Sequence, residues 1–411
     1  MKIIIFNEGE KAGGMDTFIV NLIRYWPEKT DEFLLICNHN HPSIGLFENQ
    51  SFNNLSIKTH KIPLNWSFLS SLNNILPHLL QRALRQIFRL LLTPVQYTLI
   101  KSMLKKEKAD VLLSVNGAYP GGETCRLANI AWKRIDNGCS IHNFHNLAIP
   151  ERPYLLSYDK LIDRLHISAT DCFVSVSKYC SHSIKVRTKF KKVKNIKTVP
   201  NGIRLADRNS CDLPVRDECR LKSEIPIIVM IARFEAAKGH KFMFEVMQKV
   251  VKKVTTVRLV LIGTGTESEI RQINNDIVEL GLEANVIQLG NIKNASTRIR
   301  GADILVVPSR DFESFGLTAL EAMLNKIPVI VSGIGGLPET IGEYEECGYI
   351  IPKNNSDLFS EKILYLIDNK DVSTKMGQAG YKRAIEFYDP RLMAQNYREL
   401  ITEELENLDT N

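Results

Sequence analysis

Short apolar runs alternate with amphipathic stretches along most of the chain. A continuous apolar run bounded by turn residues is typical of a strand that is buried on both faces. Such runs, and further candidate strands that include polar residues, cover residues 2–6, 32–37, 55–60, 110–115, 139–144 and 171–177, and then 225–232, 257–262, 286–289, 303–307, 328–331 and 348–351. Because strands that alternate with helices form parallel sheets with covered faces, the pattern predicts an α/β fold with doubly wound, Rossmann-like units.

The regular pattern is interrupted once, in a polar stretch at residues 204–223. A polar stretch without periodicity is typical of a linker between domains. We therefore predict a first domain at 1–203 and a second domain at 224–388, followed by a final helix within 389–411.

Composition limits the class of protein. The 411 residues are enough for two or three domains, and the 44% hydrophobic and 24% charged contents are typical of a globular protein. No apolar run approaches the length of about 18 residues that a membrane-spanning helix needs, and the run at 2–6 is too short for a signal peptide. The eight cysteines show no metal-binding spacing, which favours reduced thiols in a cytoplasmic protein.

Residues 74–108 combine a helical apolar repeat with a basic side that contains Arg82, Arg85 and Arg89, and Pro94 is predicted to divide the stretch into two helices. A basic amphipathic helix suits an anionic membrane surface. The alternative is a helix packed on the sheet with its charged face in solvent. The net charge of +7 is mild and the chain contains no recognised nucleic-acid-binding module, so we expect no nucleic-acid partner.

The segment 308–323 carries the clearest candidate chemistry. It follows the predicted strand 303–307, and a helix is predicted to begin near Phe315 and Gly316. The first amides of a helix have no intrahelical acceptor and its dipole is positive there, so an anion is favoured at this position. Glycine allows such an anion to approach the backbone closely.

Two acids, Glu313 and Glu321, lie eight positions apart in this segment. On a helix that spacing corresponds to about 12 Å of rise, which is too far for both carboxylates to act on one bond. The two acids are instead suited to bracket an elongated ligand, such as a sugar, a diphosphate and a ribose. The alternative is one acid near a helix cap and one ordinary acid of an amphipathic helix.

Three further segments lie where predicted strands end. The loop 7–14 contains Gly13 and Gly14 but lacks the GxGxxG spacing of dinucleotide sites, so an ordinary turn is the alternative. The segment 232–240 contains Arg233 and Lys238, two cations that can neutralise a diphosphate or can simply be surface charges at a helix start. The segment 141–146 contains two histidines, His142 and His145.

In order along the chain, these segments resemble the retaining, GT-B-fold glycosyltransferases of family 4. The segment 308–323 is similar to the Glu-x7-Glu signature of that family in its Glu-Ser-Phe-Gly form. The loop 7–14 resembles the family's Gly-Gly loop, and 232–240 resembles the block that carries the family's arginine and lysine. Segments 174–178, 199–203 and 333–339 match further blocks, although Arg204 stands where the family usually has aspartate.

The resemblance implies roles for individual residues. It places Glu313 at the hydroxyls of the donor sugar, Arg233 and Lys238 at the diphosphate, and Glu321 at the ribose. It also implies a histidine that faces the sugar and the acceptor; His145 suits the loop position better than His142, which is predicted to lie within the strand. The other implied donor-binding residues are Gly13, Gly14, Leu289, Phe315, Gly316, Leu317 and Thr318, of which Leu289 lies where the family's backbone contacts the nucleobase.

The resemblance also implies an architecture and an activity. It implies two Rossmann-like domains that face a central cleft, with the final helix at 389–411 returning to the first domain. The implied reaction is a retaining, metal-independent and cofactor-free transfer of a sugar from a nucleotide diphosphate, with UDP favoured over GDP. The expected acceptor is a glycan or a lipid-linked glycan in bacterial surface polysaccharide synthesis, such as lipopolysaccharide or capsule. The expected location is the cytoplasm or the cytoplasmic face of the inner membrane.

Three other functions are compatible with this fold. One is a glycogen- or sucrose-type synthase, but the chain is short for such an enzyme and the basic amphipathic region favours lipid-linked acceptors. A sugar-nucleotide epimerase has the same fold and would need no acceptor. A non-catalytic subunit of a polysaccharide assembly complex would bind the nucleotide sugar without transferring it.

Overall fold

The computed structural model describes residues 1–10, 12–50, 52–64, 78–135, 138–204, 212–292, 294–342 and 345–410. The chain forms two compact units. The first contains Met1–Pro200 together with Pro390–Asn411, and the second contains Asn201–Asp389.

The first unit is built on a seven-stranded sheet in the order β3-β2-β1-β4-β5-β6-β7. All of its neighbouring strands are parallel. The strands are β1 (Lys2–Asn7), β2 (Glu32–Asn38), β3 (Leu55–His60), β4 (Val111–Asn116), β5 (Cys139–Phe144), β6 (Cys172–Ser175) and β7 (Ile196–Thr198). The helices are α1 (Gly14–Arg24), α2 (Ile44–Glu48), α3 (His78–Leu104), α4 (Glu123–Lys133), α5 (Leu156–Ser168) and α6 (Lys178–Ser183).

The second unit is built on a six-stranded sheet in the order β10-β9-β8-β11-β12-β13, again with parallel neighbours. The strands are β8 (Ile227–Ile231), β9 (Arg258–Ile262), β10 (Val286–Gly290), β11 (Ile304–Val307), β12 (Val329–Ser332) and β13 (Gly348–Ile351). The helices are α7 (Val215–Glu218), α8 (His240–Val251), α9 (Glu267–Glu279), α10 (Ala295–Arg298), α11 (Leu317–Leu324), α12 (Leu337–Ile341), α13 (Ser356–Asp368) and α14 (Lys370–Phe387). The last helix of the chain, α15 (Pro390–Asp409), belongs to the first unit.

Both sheets have a point at which the strand order reverses. It lies between β1 and β4 in the first unit and between β8 and β11 in the second. In open α/β sheets, ligands bind outside the carboxyl ends of the strands at such a point. The predicted fold class, an α/β protein with two doubly wound units, is confirmed.

Helix α15 completes the hydrophobic core of the first unit. Its side chains Met393, Ala394, Tyr397, Leu400 and Ile401 are buried in the same cluster as residues of α1 and of the central strands. The Tyr397 ring lies 5.3 Å from the Phe18 ring of α1, and the Asn143 side-chain amide of β5 donates a hydrogen bond to the Tyr397 hydroxyl. Residues far apart in sequence therefore share one core.

Helix α3 differs from the prediction in two respects. Pro94 does not divide it, because the helix is continuous from His78 to Leu104 with Pro94 inside. Contacts hold the helix on both sides of the proline: the Thr93 hydroxyl before it lies 2.7 Å from the Tyr158 hydroxyl of α5, and the Gln96 side chain after it donates a hydrogen bond to the Pro63 carbonyl at 2.6 Å. Tertiary contacts can maintain a helix through a proline that would interrupt it in isolation.

The second difference concerns the basic side of α3. Arg89 does not extend into solvent; its Nε lies 2.7 Å from Glu123 Oε2 of α4, and the pair is mostly buried. The side chains of Arg82 and Arg85, and the predicted helix start at 74–77, lie outside the described residues. The prediction of a solvated face that contains Arg89 is wrong, because α4 supplies a buried acid that the sequence pattern of α3 could not reveal.

Part of the predicted linker 204–223 is packed on the second unit. Val215 is fully buried, and Arg216 Nη2 lies 3.0 Å from Asp303 Oδ2 beside β11. Glu218 accepts hydrogen bonds from Arg298 at 3.0 Å. Residues 205–211 lie outside the described residues.

Candidate functional site

Three loops pack together at the point of strand reversal in the second unit. The first loop follows β8, the second follows β11 and the third follows β12. The Arg310 amide donates a hydrogen bond to the Ala237 carbonyl at 2.7 Å, which joins the first loop to the second. The Gly336 amide donates to the Glu313 carbonyl at 2.9 Å, which joins the third loop to the second. The backbone of the loop that carries Glu313 is therefore held from two sides.

Two glycines make this packing possible. Gly239 has φ +83° and Gly335 has φ +59°, both in the left-handed region. A Cβ at Gly239 would lie 2.0 Å from the Pro308 carbonyl oxygen, and one at Gly335 would lie 1.8 Å from the Glu313 carbonyl oxygen. Since neither distance leaves room for a carbon atom, only glycine fits where the loops meet.

Lys238 and Glu313 form an ion pair between the first two loops. Lys238 Nζ lies 2.8 Å from Glu313 Oε2, and the two side chains are 20% and 16% exposed. The Ser309 hydroxyl donates to the same carboxylate oxygen at 3.4 Å. The carboxylate is thus oriented from one side while part of its surface remains open to a ligand.

Arg233 is placed differently from Lys238. Its guanidinium is 57% exposed and pairs with Glu235 of its own loop at 2.6 Å, not with Glu313. The structure therefore brings together Lys238 and Glu313, and leaves Arg233 at the surface of the same loop.

The beginning of α11 is the third component of this site. Gly316 precedes the helix with φ +99°, and a Cβ there would lie 2.5 Å from Leu337 Cδ2. Phe315 is buried against the Tyr388 ring at 5.5 Å, and its carbonyl accepts a hydrogen bond from the Thr340 hydroxyl. Leu317 and Thr318, whose amides have no intrahelical acceptor, are half-buried. An anion could therefore bind at this helix start.

Glu321 lies in the second turn of α11 and is half-buried. Burial raises the pKa of its carboxyl to about 7. Because only residues 317–324 are helical, the helix contributes about 6 Å of rise between Leu317 and Glu321. Glu313 lies in the loop before the helix, as predicted, so the 12 Å of an unbroken helix does not describe the separation of the two acids.

Leu289 lies near the end of β10, the edge strand of this sheet. The next residue, Gly290, has φ +68°, and its carbonyl accepts a hydrogen bond from the Gly263 amide at 2.8 Å. Leu289 is half-buried and is separated from β8 by the strand β9. Leu289 thus lies near the carboxyl ends of the strands, as the three loops do, but on the outermost strand and away from the Lys238–Glu313 pair.

In the first unit, a buried polar network holds the loop that contains Gly13 and Gly14. The Gly13 amide donates to Asp16 Oδ2 at 2.9 Å, and α1 begins at Gly14. The same carboxylate oxygen accepts a hydrogen bond from the Ser43 hydroxyl at 2.6 Å. Asp16 therefore links the loop after β1 to the loop after β2.

His41 extends this network to the end of β1. Its Nδ1 accepts a hydrogen bond from the Ser43 amide at 3.2 Å, so Nε2 carries the proton and donates to Asn7 Oδ1 at 2.6 Å. Burial lowers the pKa of His41, and the neighbouring Asp16 opposes that shift. Sequence reasoning missed Asp16, His41 and Asn7. The signal that could have revealed them is a set of polar residues placed directly after predicted buried strands.

The structure separates the two candidate histidines as the sequence suggested. His142 lies within β5, where Asn129 Oδ1 is 3.1 Å from its Nδ1, and burial lowers its pKa to about 3. His145 follows β5 and its ring lies 4.4 Å from the Phe18 ring. Among the described residues, neither ring nitrogen of His145 has a hydrogen-bond partner, and burial lowers its pKa to about 3. A buried imidazole without a partner is unusual and is a candidate for ligand contact.

Two features are absent from the described residues. Among them, no group of three His, Cys, Asp or Glu side chains is arranged to bind a metal ion. No helix in the described part of the chain has the length and apolar content needed to cross a bilayer.

Comparison with known proteins identifies the second unit. A family profile described as "Glycosyl transferases group 1" matches residues 215–383, a segment that contains Lys238, Glu313 and Glu321. That segment belongs to the glycosyl transferases group 1. This group 1 segment includes α7, which lies in the predicted linker.

Relatives of known activity differ in how much of the chain they match. The N-acetyl-alpha-D-glucosaminyl L-malate synthase of Bacillus anthracis is 26% identical over 71% of this chain and 74% of its own length. The trehalose synthase of Thermococcus litoralis is 28% identical over 43% of this chain. The chain spans less than half, 44%, of the length of the trehalose synthases from Thermococcus litoralis and Pyrococcus furiosus.

Solved structures match nearly the whole chain. A glycosyltransferase from Rickettsia africae has a TM-score of 0.76 with 18% identity and covers 99% of both chains. The Anabaena protein HepE, solved in complex with UDP, has a TM-score of 0.73 with 16% identity and covers 98% of this chain and all of its own. These likenesses establish the fold of the chain and confirm the predicted GT-B class.

Proposed function

We propose that this protein is a retaining glycosyltransferase that moves a sugar from a nucleotide diphosphate to a hydroxyl group. The observation that carries the proposal is the Lys238–Glu313 pair beside the open start of α11, at the point where strand order reverses. This arrangement offers a cation and backbone amides for a diphosphate and a carboxylate for sugar hydroxyls, within one group of packed loops.

In the proposed complex, Glu313 accepts hydrogen bonds from the hydroxyls of the donor sugar. Glu321 binds the ribose, and the backbone near Leu289 contacts the base. Gly13 and Gly14 would contact the donor from the first unit. The phosphates bind to Lys238, Arg233 and the amides of Phe315, Gly316, Leu317 and Thr318.

The ion pairs of the ligand-free protein affect how the donor binds. Lys238 has three N–H donors, so it can keep its bond to Glu313 and still contact a phosphate oxygen. Arg233 is paired with Glu235 in an exposed position, where such a pair contributes only about 0–1 kcal/mol. A diphosphate, which carries more charge than one carboxylate, can therefore displace it at low cost. Two cations then stabilise the leaving diphosphate, and we propose that the reaction needs no metal or cofactor.

The acceptor is assigned to the first unit. His145 is proposed to contact the donor sugar and the acceptor, because its two ring nitrogens are buried without a partner among the described residues. Solved relatives support the ligand classes: HepE was solved with UDP and with UDP-glucose, and a TarM mutant was solved with UDP and alpha-GlcNAc-glycerol. We therefore propose a UDP-sugar donor and a glycan or lipid-linked acceptor, in a polysaccharide pathway of the bacterial surface.

Alanine substitution of Lys238 or Arg233 tests the proposal. Removal of one charge-stabilising donor from a closed site lowers turnover by about 100- to 1000-fold. Both variants are expected to remain folded and to lose transfer by that order, measured as UDP release with an acceptor. Lys249→Ala is a matched control, because Lys249 also pairs with a carboxylate, Asp357, but on the surface of α8.

The results separate the alternatives. Near wild-type turnover in both variants would refute the diphosphate assignment. Conversion of a UDP-sugar without any acceptor would indicate an epimerase, and nucleotide binding without transfer or hydrolysis would indicate a non-catalytic subunit. NMR analysis of the anomeric configuration of the product would test retention.

A thermal-shift screen of UDP, GDP and their sugars tests the donor. A ligand present at 100 times its dissociation constant stabilises the folded protein by about 2.7 kcal/mol. We expect a larger shift with UDP-sugars than with GDP-sugars, and the reverse order would contradict the assignment of the base.

A further inference from the structure

Three polar residues in the middle of α3 lie on the side that faces the protein. Arg89 pairs with Glu123 of α4 at 2.7 Å, and the Thr93 hydroxyl shares a hydrogen bond of 2.7 Å with the Tyr158 hydroxyl of α5. Nearly one turn later, the buried Gln96 side chain donates to the Pro63 carbonyl. The inner side of this section of α3 therefore includes polar side chains with partners on the protein.

The opposite side of α3 is apolar and exposed. Ile87 and Leu91 are 53% and 62% exposed, and Val95 and Leu99 follow at the same four-residue spacing with similar exposure. We call these four residues the α3 apolar face. A surface helix normally turns its apolar side inward, so α3 is reversed in its middle section. An exposed apolar strip on a helix of 27 residues marks a surface that binds a partner.

The charge of α3 decides between possible partners. Helix α3 contains no acidic residue, and its last turn carries Lys101, whereas Arg89 is already paired with Glu123 of α4. Directly after the helix, Lys105, Lys106 and Lys108 are exposed, and the one acid among them, Glu107, pairs with Lys58 of β3. Two copies of α3 that packed together would bring like charges close to each other, which opposes association. An anionic lipid surface complements the same charges and accepts the apolar side chains.

We propose that the α3 apolar face docks on an anionic membrane, with α3 parallel to the bilayer plane. Ile87, Leu91, Val95 and Leu99 would enter the boundary between head groups and acyl chains, and the lysines after the helix would contact lipid phosphates. This assignment replaces the arginine face expected from the sequence with the opposite side of the helix. It goes beyond the transferase proposal and does not depend on it, although a docked enzyme would meet lipid-linked acceptors directly.

Sedimentation of the full chain with vesicles, without donor or acceptor, tests the proposal. The vesicles contain equal amounts of phosphatidylglycerol and phosphatidylcholine, or phosphatidylcholine alone. We expect the wild-type protein to pellet with the anionic vesicles, and the double variant Ile87→Gln/Leu91→Gln to bind at least about tenfold more weakly. The variant Lys105→Gln/Lys106→Gln should lose most of the preference for anionic lipid.

The matched control is the double variant Val278→Gln/Ile385→Gln. These residues of the second unit are 62% and 48% exposed, close to the values for Leu91 and Ile87. The control should pellet like the wild type. The Ile87→Gln/Leu91→Gln variant and the control both replace exposed side chains, so their melting temperatures should stay near that of the wild type. An unchanged shift of the melting temperature on addition of UDP would show that any loss of vesicle binding is independent of donor binding.

Two results would overturn the proposal. One is equal pelleting of the wild type and the Ile87→Gln/Leu91→Gln variant. The other is that the wild type does not pellet with anionic vesicles. Analytical ultracentrifugation would then distinguish a monomer from a dimer. A dimer that the Ile87→Gln/Leu91→Gln variant dissociates would assign the α3 apolar face to a second copy of the chain.

Discussion

Gly335 shows how a single hydrogen atom in place of a side chain controls the position of Glu313. Its φ is +59°, and a Cβ at this position would lie 1.8 Å from the Glu313 carbonyl oxygen, which excludes other residues. Gly281 has nearly the same φ, +64°, but nothing lies within 4 Å of its Cβ position. The two glycines differ in close contact and not in backbone conformation.

We predict that Gly335→Ala destabilises the protein by about 2 kcal/mol more than Gly281→Ala. Gly281→Ala should lower the free energy of unfolding by about 1 kcal/mol, because the alanine would have to adopt a left-handed backbone conformation but would meet no close contact. Denaturant unfolding of both variants measures the difference. Equal losses would show that the loop of Glu313 moves freely, and that its close contact with Gly335 does not hold the carboxylate in place.

Glu321 provides a pH-dependent prediction at the same scale. Burial raises the pKa of the folded protein's Glu321 from 4.5 to about 7, so the folded state binds this proton more tightly than the unfolded chain does. The free energy of unfolding therefore falls as pH rises through this interval, and the penalty is complete above it. Glu321→Gln should stabilise the protein by about 2 kcal/mol at about pH 8.5, and by less than half of that at about pH 5.

Denaturant unfolding at the two pH values measures this effect. Glu279→Gln on the exposed side of α9 controls for the general loss of a negative charge. An effect of Glu321→Gln that is equal at both pH values would rule out a buried, proton-linked carboxyl.

At the residue scale, the sequence indicated candidate side chains for the site but not their partners. Glu313, Lys238 and the glycine before α11 could be found because each follows a predicted strand. The pairing of Lys238 with Glu313, and of Arg233 with Glu235, depends on loop conformations set by Gly239 and Gly335. Such conformations arise from contacts between segments that are far apart in sequence, which local patterns do not encode.

At the scale of elements, α3 separates what periodicity can and cannot predict. Its helical repeat predicted an amphipathic helix, and the helix is present. Periodicity does not say which side faces the protein, since that depends on the polar partners Glu123 and Tyr158 from other helices. Strand β7 was not predicted for a different reason: it has only three residues, one of them a lysine, and so gives little apolar signal.

Pro94 is expected to weaken helix α3. It has no amide hydrogen for the Leu90 carbonyl, and it lies in the continuous part of α3. Pro94→Ala should raise the free energy of unfolding by about 1–3 kcal/mol, because alanine restores this bond and fits the preceding turn. Thr98→Ala, one turn later on an exposed side, should gain only about 0.5 kcal/mol. A loss of stability in Pro94→Ala would show that the contacts of α3 require the proline.

At the scale of the whole molecule, the two units differ in how the chain builds them. The second unit is formed by one continuous segment, whereas the first combines Met1–Pro200 with Pro390–Asn411. Helix α15 gives five buried side chains to the core of the first unit. Removal of one large core side chain typically costs about 2–5 kcal/mol, so loss of all five exceeds the usual stability of a domain.

A chain that ends at Asp389 should therefore have an unfolded first unit and a folded second unit. All three tryptophans of the sequence, Trp26, Trp66 and Trp132, fall within Met1–Pro200, so tryptophan fluorescence reports on the first unit alone. We expect red-shifted emission from the truncated chain, substantial remaining helical circular dichroism, and recovery of native emission when a peptide of residues 390–411 is added. A chain that lacks only residues 410–411 is the control, and native emission from the truncated chain without the peptide would contradict the prediction.

This division of the first unit has a consequence for biosynthesis. The ribosome releases the segment for α15 only after it has translated every residue of the second unit. The nascent first unit must therefore wait, with the apolar seat for Tyr397 and Ile401 uncovered, while its neighbour in the sequence can already fold. A chaperone that shields apolar segments of nascent chains would have its longest period of contact at this seat.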